Sequence, residues 1–186
     1  MKRRKQRISM RDVTQMSGED AEIVAKNRVN GRDLNLFRVL MHHPQLTRRW
    51  SVFAGHVMSK QTIPVREREL LILRIGWLNQ APYEWAQHVE IARRAGISDG
   101  EIERVKQGAT GHWSSHDAAL LQAADDLFEK SVISDSTWQT LTSTYSTQQM
   151  IDVVFTIGQY NLVSWALNSF GVPLDDYLPG ARETKG

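Results

Sequence analysis

Apolar residues along this chain recur mostly three and four positions apart, the spacing of one face of a helix, and the strict alternation that marks strands is weak. The spacing predicts helices almost throughout. Leu34, Phe37, Leu40 and Met41 form one set, with Asp33 placed to cap it and Pro44 to stop it. Leu46, Trp50, Phe53 and Val57 form the next. Pro64 and Pro82 each suit the first turn of a helix, where the missing N–H would have had no partner anyway. The first of these helices carries Leu70, Leu71, Leu73 and Trp77, and the second ends near Gly96. Ser98 and Glu101 have capping-box spacing ahead of Ile102 and Val105. Gly108 and Gly111 mark a loop. Ser115 is placed to cap a helix bearing Ala119, Leu120, Ala123, Ala124 and Leu127, and Ser134 to cap a shorter one. The last long helix, Thr147–Phe170, is apolar on most of its circumference, so it belongs in a large core or at a subunit interface. Gly171 and Pro173 end it. The expected fold class is all-α.

No long linker interrupts this pattern. One helical domain is expected over 17–178, between a flexible basic tail at 1–16 and a polar tail at 179–186. The 186 residues suffice for a sizeable core. The net charge of +2 conceals a division. Lys2, Arg3, Arg4, Lys5 and Arg7 put five positive charges in the first seven residues, and without them the remainder stands at −3. A mildly acidic body argues against nucleic acid as a partner. The basic start is not followed by the apolar stretch of a secretory signal, since Ser9, Arg11 and Asp12 come next. The most apolar long window, 150–167, contains Asp152, Gln159 and Asn161, so no membrane span or membrane partner is expected. There is no cysteine. That excludes disulfides, thiolate nucleophiles and dithiol redox chemistry, and it suits a reducing, cytoplasmic location.

The candidate chemistry lies in 64–97. Glu69 sits mid-helix with Ile72, Leu73 and Gly76 at i+3, i+4 and i+7, an apolar face on which a carboxylate is costly unless paired or protonated. In the next helix Glu84 and His88 are four apart and share a face. Two carboxylates and an imidazole can meet in one crevice, where burial and neighbouring charge tune an acid and a base. The residues also admit a bland reading. Glu69 can pair with an arginine, and Glu84 with His88 can be an ordinary surface pair at a favourable helix start.

The stretch 66–97, with Glu69-Leu70-Leu71-Ile72-Leu73-Arg74, then Tyr83-Glu84-Trp85, His88, Ala92 and Gly96-Ile97-Ser98, resembles the signature of the carboxymuconolactone decarboxylase family. Weaker likeness extends over 31–177. The redox branch of that family, the alkylhydroperoxidase D-like proteins, carries a glutamate, a Cys-x-x-Cys pair and a histidine. Glu69 and His88 match its outer positions, but Ala81 and Glu84 stand at the cysteines, so a thiol peroxidase is not expected. Glu84 four before His88 resembles the decarboxylase branch. That resemblance implies a helical bundle of the alkylhydroperoxidase D-like type, a homotrimer or homohexamer, and no metal or organic cofactor. It implies decarboxylation or a related proton transfer on a small lactone or unsaturated organic acid. His88 is the expected proton carrier, with Glu84 its partner and Glu69 a second acid or base from the opposite side of the substrate. Replacing Glu69 by Gln should then change stability little.

Trp85, next to Glu84, is expected to wall the site. His56, on the helix that precedes, and Tyr160, on the long apolar helix, are expected to bind substrate, with core roles as the alternative for both. His112 and His116 have helical metal-ligand spacing, but Ser114 and Ser115 put a helix start between them and no third ligand is near, so no metal is expected. The competing class is a catalytically idle, oligomeric binding protein of the same fold. An enclosed pocket touching all three polar residues favours the enzyme.

Overall fold

The computed structural model describes Met1 and residues 4–181, and Lys2, Arg3 and residues 182–186 of the expected tails lie outside the described residues. Among the described residues there are nine α-helices and no strand. They are α1 (Gly18–Lys26), α2 (Asn35–Leu40), α3 (Pro44–Ser59), α4 (Val65–Leu78), α5 (Pro82–Arg94), α6 (Asp99–Val105), α7 (Ser115–Lys130), α8 (Asp135–Thr142) and α9 (Thr147–Phe170). This is the all-α class that the sequence pattern predicts.

Helix α4 is the centre. Leu70, Leu71, Ile72, Leu73 and Ile75 have no exposed surface. Five such residues within six positions occupy every side of a helix, which is possible only where neighbours surround it. Those neighbours are α5, α7 and α9. Helix α9 is apolar all round but buried on one side only. Ile151, Phe155, Leu162 and Trp165 form a row on its outer side, each about half exposed at 50–55%. Within the single chain α9 is thus covered on one side, and of the two expected settings, core or subunit interface, the exposed row leaves the interface open.

Serines set most of the helix starts. Ser98 and Ser146 form full capping boxes with Glu101 and Gln149. The cap of α7 is Ser114 rather than Ser115, and it accepts from the Asp117 N–H. Asp33 does not cap α2, because its carboxylate takes Arg28 Nε at 2.6 Å instead. Pro64 stands just outside α4, at the cap. Helix α1 is an element the periodicity did not mark.

Residues 5–11 do not behave as the flexible tail expected at 1–16. Arg7 N–H donates to the Phe170 carbonyl at 2.8 Å, and Arg11 bonds the Arg38 and Met41 carbonyls. Ile8 and Met10 pack against the cluster of Leu36, Val163 and Leu167. The charges of the segment concealed these two apolar anchors. Gly171, at φ +64°, closes α9 in the left-handed region, and a Cβ there would stand 2.0 Å from the Lys5 carbonyl oxygen. Gly171→Ala is therefore expected to cost more than the roughly 1–2 kcal/mol of a left-handed alanine and to detach the N-terminal segment. A melting curve and amide exchange at Arg7 check this, and unchanged protection at Arg7 would refute it. Among the described residues no helix is long and apolar enough to cross a membrane.

Candidate active site

Helices α4 and α5 form a hairpin through a tight turn in which Gln80 takes φ +50°. Where they cross, Gly76 carries no side chain. Glu84 Cγ lies 3.4 Å from the place a Cβ would take, so the small residue lets Glu84 lie against α4. Glu69, on α4, is fully buried. Arg68 donates to its Oε1 from Nε at 2.9 Å and Nη2 at 2.7 Å, while Nη1 donates to the Met58 carbonyl. His88 Nδ1 lies 2.7 Å from the other oxygen, Oε2. On the far side of the ring, Nε2 is 3.1 Å from Glu84 Oε1, close enough for an ion contact but not aligned as a hydrogen bond. Glu84 Oε1 is thus a buried oxygen that no hydrogen bond satisfies. The result is a row, Arg68–Glu69–His88–Glu84, in which cations and carboxylates alternate.

Charge order decides protonation here. Burial alone would push the His88 imidazole down, but the carboxylates of Glu69 and Glu84 on its two sides prevail and raise it to about 10. Burial pushes Glu69 up, and His88 with Arg68 more than reverses it, so Glu69 is held below the usual carboxylate range. Tyr160, whose ring meets that of His88 edge-on at 4.8 Å, is raised well above its ordinary value by burial and then by both carboxylates. At neutral pH the centre of the row is therefore an imidazolium. Its folded value exceeds its unfolded one, so its stabilising contribution is complete below about 6.5 and is lost as pH rises toward about 10. The Glu69 contribution has the opposite sign and is lost only in acid, below the ordinary carboxylate range. A nuclear magnetic resonance titration of the His88 ring should show one protonated form through pH 8. Deprotonation near pH 6.5 would contradict the charge order.

A cavity of about 350 Å³ opens onto the row. Its wall includes Glu84 and His88 but not Glu69, which lies behind the imidazole. The structure thus brings all three residues together and gives two of them access to the cavity. Tyr160 lines it, with its hydroxyl donating to the Met58 sulfur at 3.0 Å. Trp85 does not line it. One residue along a helix turns a side chain by about 100°, which carries Trp85 onto Trp77 at 5.4 Å, beneath Lys106. His56 is absent from the wall too. It is half exposed, 3.9 Å from Asp152, and so neither a cavity residue nor a core histidine. Leu36, Phe37, Trp50, Met58 and Val163 were read as core or not singled out, yet they form the apolar wall.

Other polar clusters lie apart. Asp175 anchors the C-terminal segment, accepting from Asn35 N–H at 2.7 Å, the Tyr83 hydroxyl at 2.6 Å and Gln87 Nε2 at 2.5 Å. His112 precedes the cap of α7. His116 follows it and faces Glu67 at 3.5 Å. Both nitrogens of His88 already face carboxylates, and among the described residues no cluster of three or more His, Cys, Asp and Glu side chains is arranged to hold a metal ion.

Residues 44–126 match the Carboxymuconolactone decarboxylase family. That segment spans α3 to α6 and most of α7, and so contains Glu69, Glu84 and His88. Among curated proteins no sequence matches the chain. Several solved structures share its fold. A peroxidase-related protein with an alkylhydroperoxidase AhpD core, from Ralstonia eutropha JMP134, superposes with a TM-score of 0.82 at 17% identity, covering 91% of this chain and 92% of that one. A peroxidase-related protein from Silicibacter sp. TM1040 gives 0.77 at 13% identity over 97% and 98%. A debrominase in complex with 2,3,4-tribromopyrrole gives 0.78 at 11% identity over 94% and 95%. At these identities the likeness is one of fold.

Proposed function

We propose that this chain, whose residues 44–126 match the Carboxymuconolactone decarboxylase family and whose fold is AhpD-like, is an acid–base enzyme that moves a proton on a small unsaturated carbonyl compound. One observation carries this reading: a buried Glu69–His88–Glu84 row whose His–Glu end opens on a ligand-sized cavity. In the proposed step Glu84 takes a proton from a carbon conjugated with the carbonyl. The C–H electron pair moves into the conjugated system, and the carbonyl becomes an enolate. With that proton Glu84 is neutral, so the His88 imidazolium beside it is left to stabilise the enolate charge. Glu84 then returns the proton to a different carbon of the same system, which completes an isomerisation. Loss of carbon dioxide from a carboxylated lactone would reach the same kind of enolate and needs the same reprotonation.

Glu69 has a different part from the one its position in the sequence suggested. It holds Nδ1 and fixes the ring, so it is a positioning residue that does not touch the substrate. Nothing in the step asks for a thiol. The debrominase that shares the fold binds a small cyclic compound, which fits a cavity of this size. The test is a screen of lactones and unsaturated acids for solvent-proton exchange or carbon dioxide release. Glu84→Gln serves as the control, and activity that survives in it would count against the reading.

The row of Ile151, Phe155, Leu162 and Trp165 on α9 adjoins exposed Val52 and Phe53 of α3, with Phe53 and Phe155 6.0 Å apart. So much apolar surface on one side supports the trimer or hexamer expected from the sequence. Sedimentation at micromolar concentration should give such a species, and Phe155→Glu should dissociate it. A wild-type monomer would refute the assembly.

A further inference from the structure

We propose that the cavity takes a neutral, largely apolar cyclic carbonyl compound and that Trp50 limits how long its apolar end can be. The proposal rests on the proton-transfer reading for its chemistry and on the cavity wall for its ligand class.

The wall contains two cations, His88 and Lys26. Both nitrogens of His88 already face carboxylates, at 2.7 and 3.1 Å. The nearby Arg68 has Nε and Nη2 on Glu69 and Nη1 on the Met58 carbonyl. Lys26 stands at the exposed rim, 3.3 Å from Glu22. A ligand carboxylate pushed in as far as His88 would thus lie beside Glu84 without a cation of its own. Dehydrating a carboxylate without a partner is strongly unfavourable. A neutral carbonyl meets no such cost.

A buried carbonyl needs a hydrogen-bond donor. Gln159 is only 4% exposed and lies in the cavity wall. Its Oε1 accepts the Trp50 indole N–H at 3.3 Å, which turns the amide so that Nε2 is its free end. No described residue accepts from that Nε2. A ligand carbonyl can take its N–H, while the remaining wall offers Leu36, Phe37, Trp50, Met58, Tyr160 and Val163 to an apolar body.

A second, apolar pocket of about 240 Å³, lined by Leu40, Leu46, Leu162, Ala166 and Phe170, shares Leu36, Trp50 and Val163 with the first. These three residues are the partition between the two spaces. The Trp50 indole is fixed there by Gln159 and by Phe37, whose ring centroid is 5.7 Å away. A smaller side chain at position 50 joins the two pockets and admits a longer chain.

Calorimetric titration of the full chain tests the proposal with butenolides that carry alkyl groups from methyl to octyl, and with carboxymethyl butenolide. The short alkyl butenolides should bind, and the carboxymethyl compound at least tenfold more weakly. Trp50→Ala and Trp50→Leu should shift the preferred chain toward octyl, whereas Trp50→Phe should keep the wild-type order. Equal or tighter binding of the carboxymethyl compound would overturn the proposal. So would no binding of any neutral butenolide, or an unchanged length order in a folded Trp50→Ala or Trp50→Leu. Deuterium exchange into the same compounds separates the two claims. Neutral ligands that bind with the expected order but never exchange sink the proton-transfer reading and leave the ligand class standing. Tight binding and fast exchange of the carboxymethyl compound sink the ligand class and leave the chemistry.

Discussion

Glu69→Gln should lower folding stability by about 3–5 kcal/mol, the usual cost of removing one partner from a buried ion pair. The apolar face around Glu69 suggested little change, on the view that an isolated buried charge would be relieved. The structure gives the opposite sign, because Glu69 is not isolated. It has no exposed surface, and it sits between Arg68 at 2.7 Å and His88 at 2.7 Å. An amide in its place leaves two buried cations with Glu84 as the nearest remaining carboxylate. His88 then has only Glu84 to favour its proton, and Arg68 keeps a neutral acceptor in place of a charged one. For a chain of this length the loss corresponds to a fall in melting temperature on the order of 10 °C. The His88 titration should move down in the same variant. A Glu69→Gln protein as stable as wild type would mean that the ion row contributes nothing to folding.

Much of the fold was legible because helical spacing and cap chemistry are local properties. The bounds of α9, the capping boxes at Ser98 and Ser146 and the start of α5 at Pro82 all follow from residues within one turn of each other. Features set by distant parts of the chain were not legible. Ile8 and Met10 are partly buried only because α2 and α9 come to them, and their basic neighbours masked the contact. In the site, the apolar face of Glu69 and the four-residue step from Glu84 to His88 were enough to bring three residues together. Spacing gives a face but not a depth, so it could not show that Glu69 lies behind the imidazole rather than across a substrate from it. Arg68 was missed because adjacent helical residues do not normally face each other, yet its long side chain folds back onto Glu69. Trp50 and Phe37 were legible only as apolar, since a cavity wall and a packed core use the same residue types.

The second large effect concerns catalysis. Glu84→Gln should lower kcat/KM by about two to four powers of ten, the range for loss of one acid–base group, and His88→Ala by about two to three, the range for loss of one charge-stabilising group. The two should differ in stability. Glu84 Oε1 contacts His88 at 3.1 Å but takes no hydrogen bond, so an amide there should cost less stability than Glu69→Gln, which weakens contacts to two cations. His88→Ala removes the cation between Glu69 and Glu84 and opens a hole beside Tyr160, so its melting temperature should fall as well. A purely structural row predicts losses in stability with unchanged rate in whatever protein remains folded.

The central claim is that the Glu84–His88 end of the row exchanges a proton with a bound molecule. Its most direct test is incorporation of solvent deuterium into an alkyl butenolide, compared between wild type and folded Glu84→Gln at neutral pH. The account predicts steady incorporation at one conjugated carbon by wild type and a rate at least a hundredfold lower in the variant, at the lower end of the range for an acid–base group. Incorporation at the wild-type rate in Glu84→Gln would contradict it.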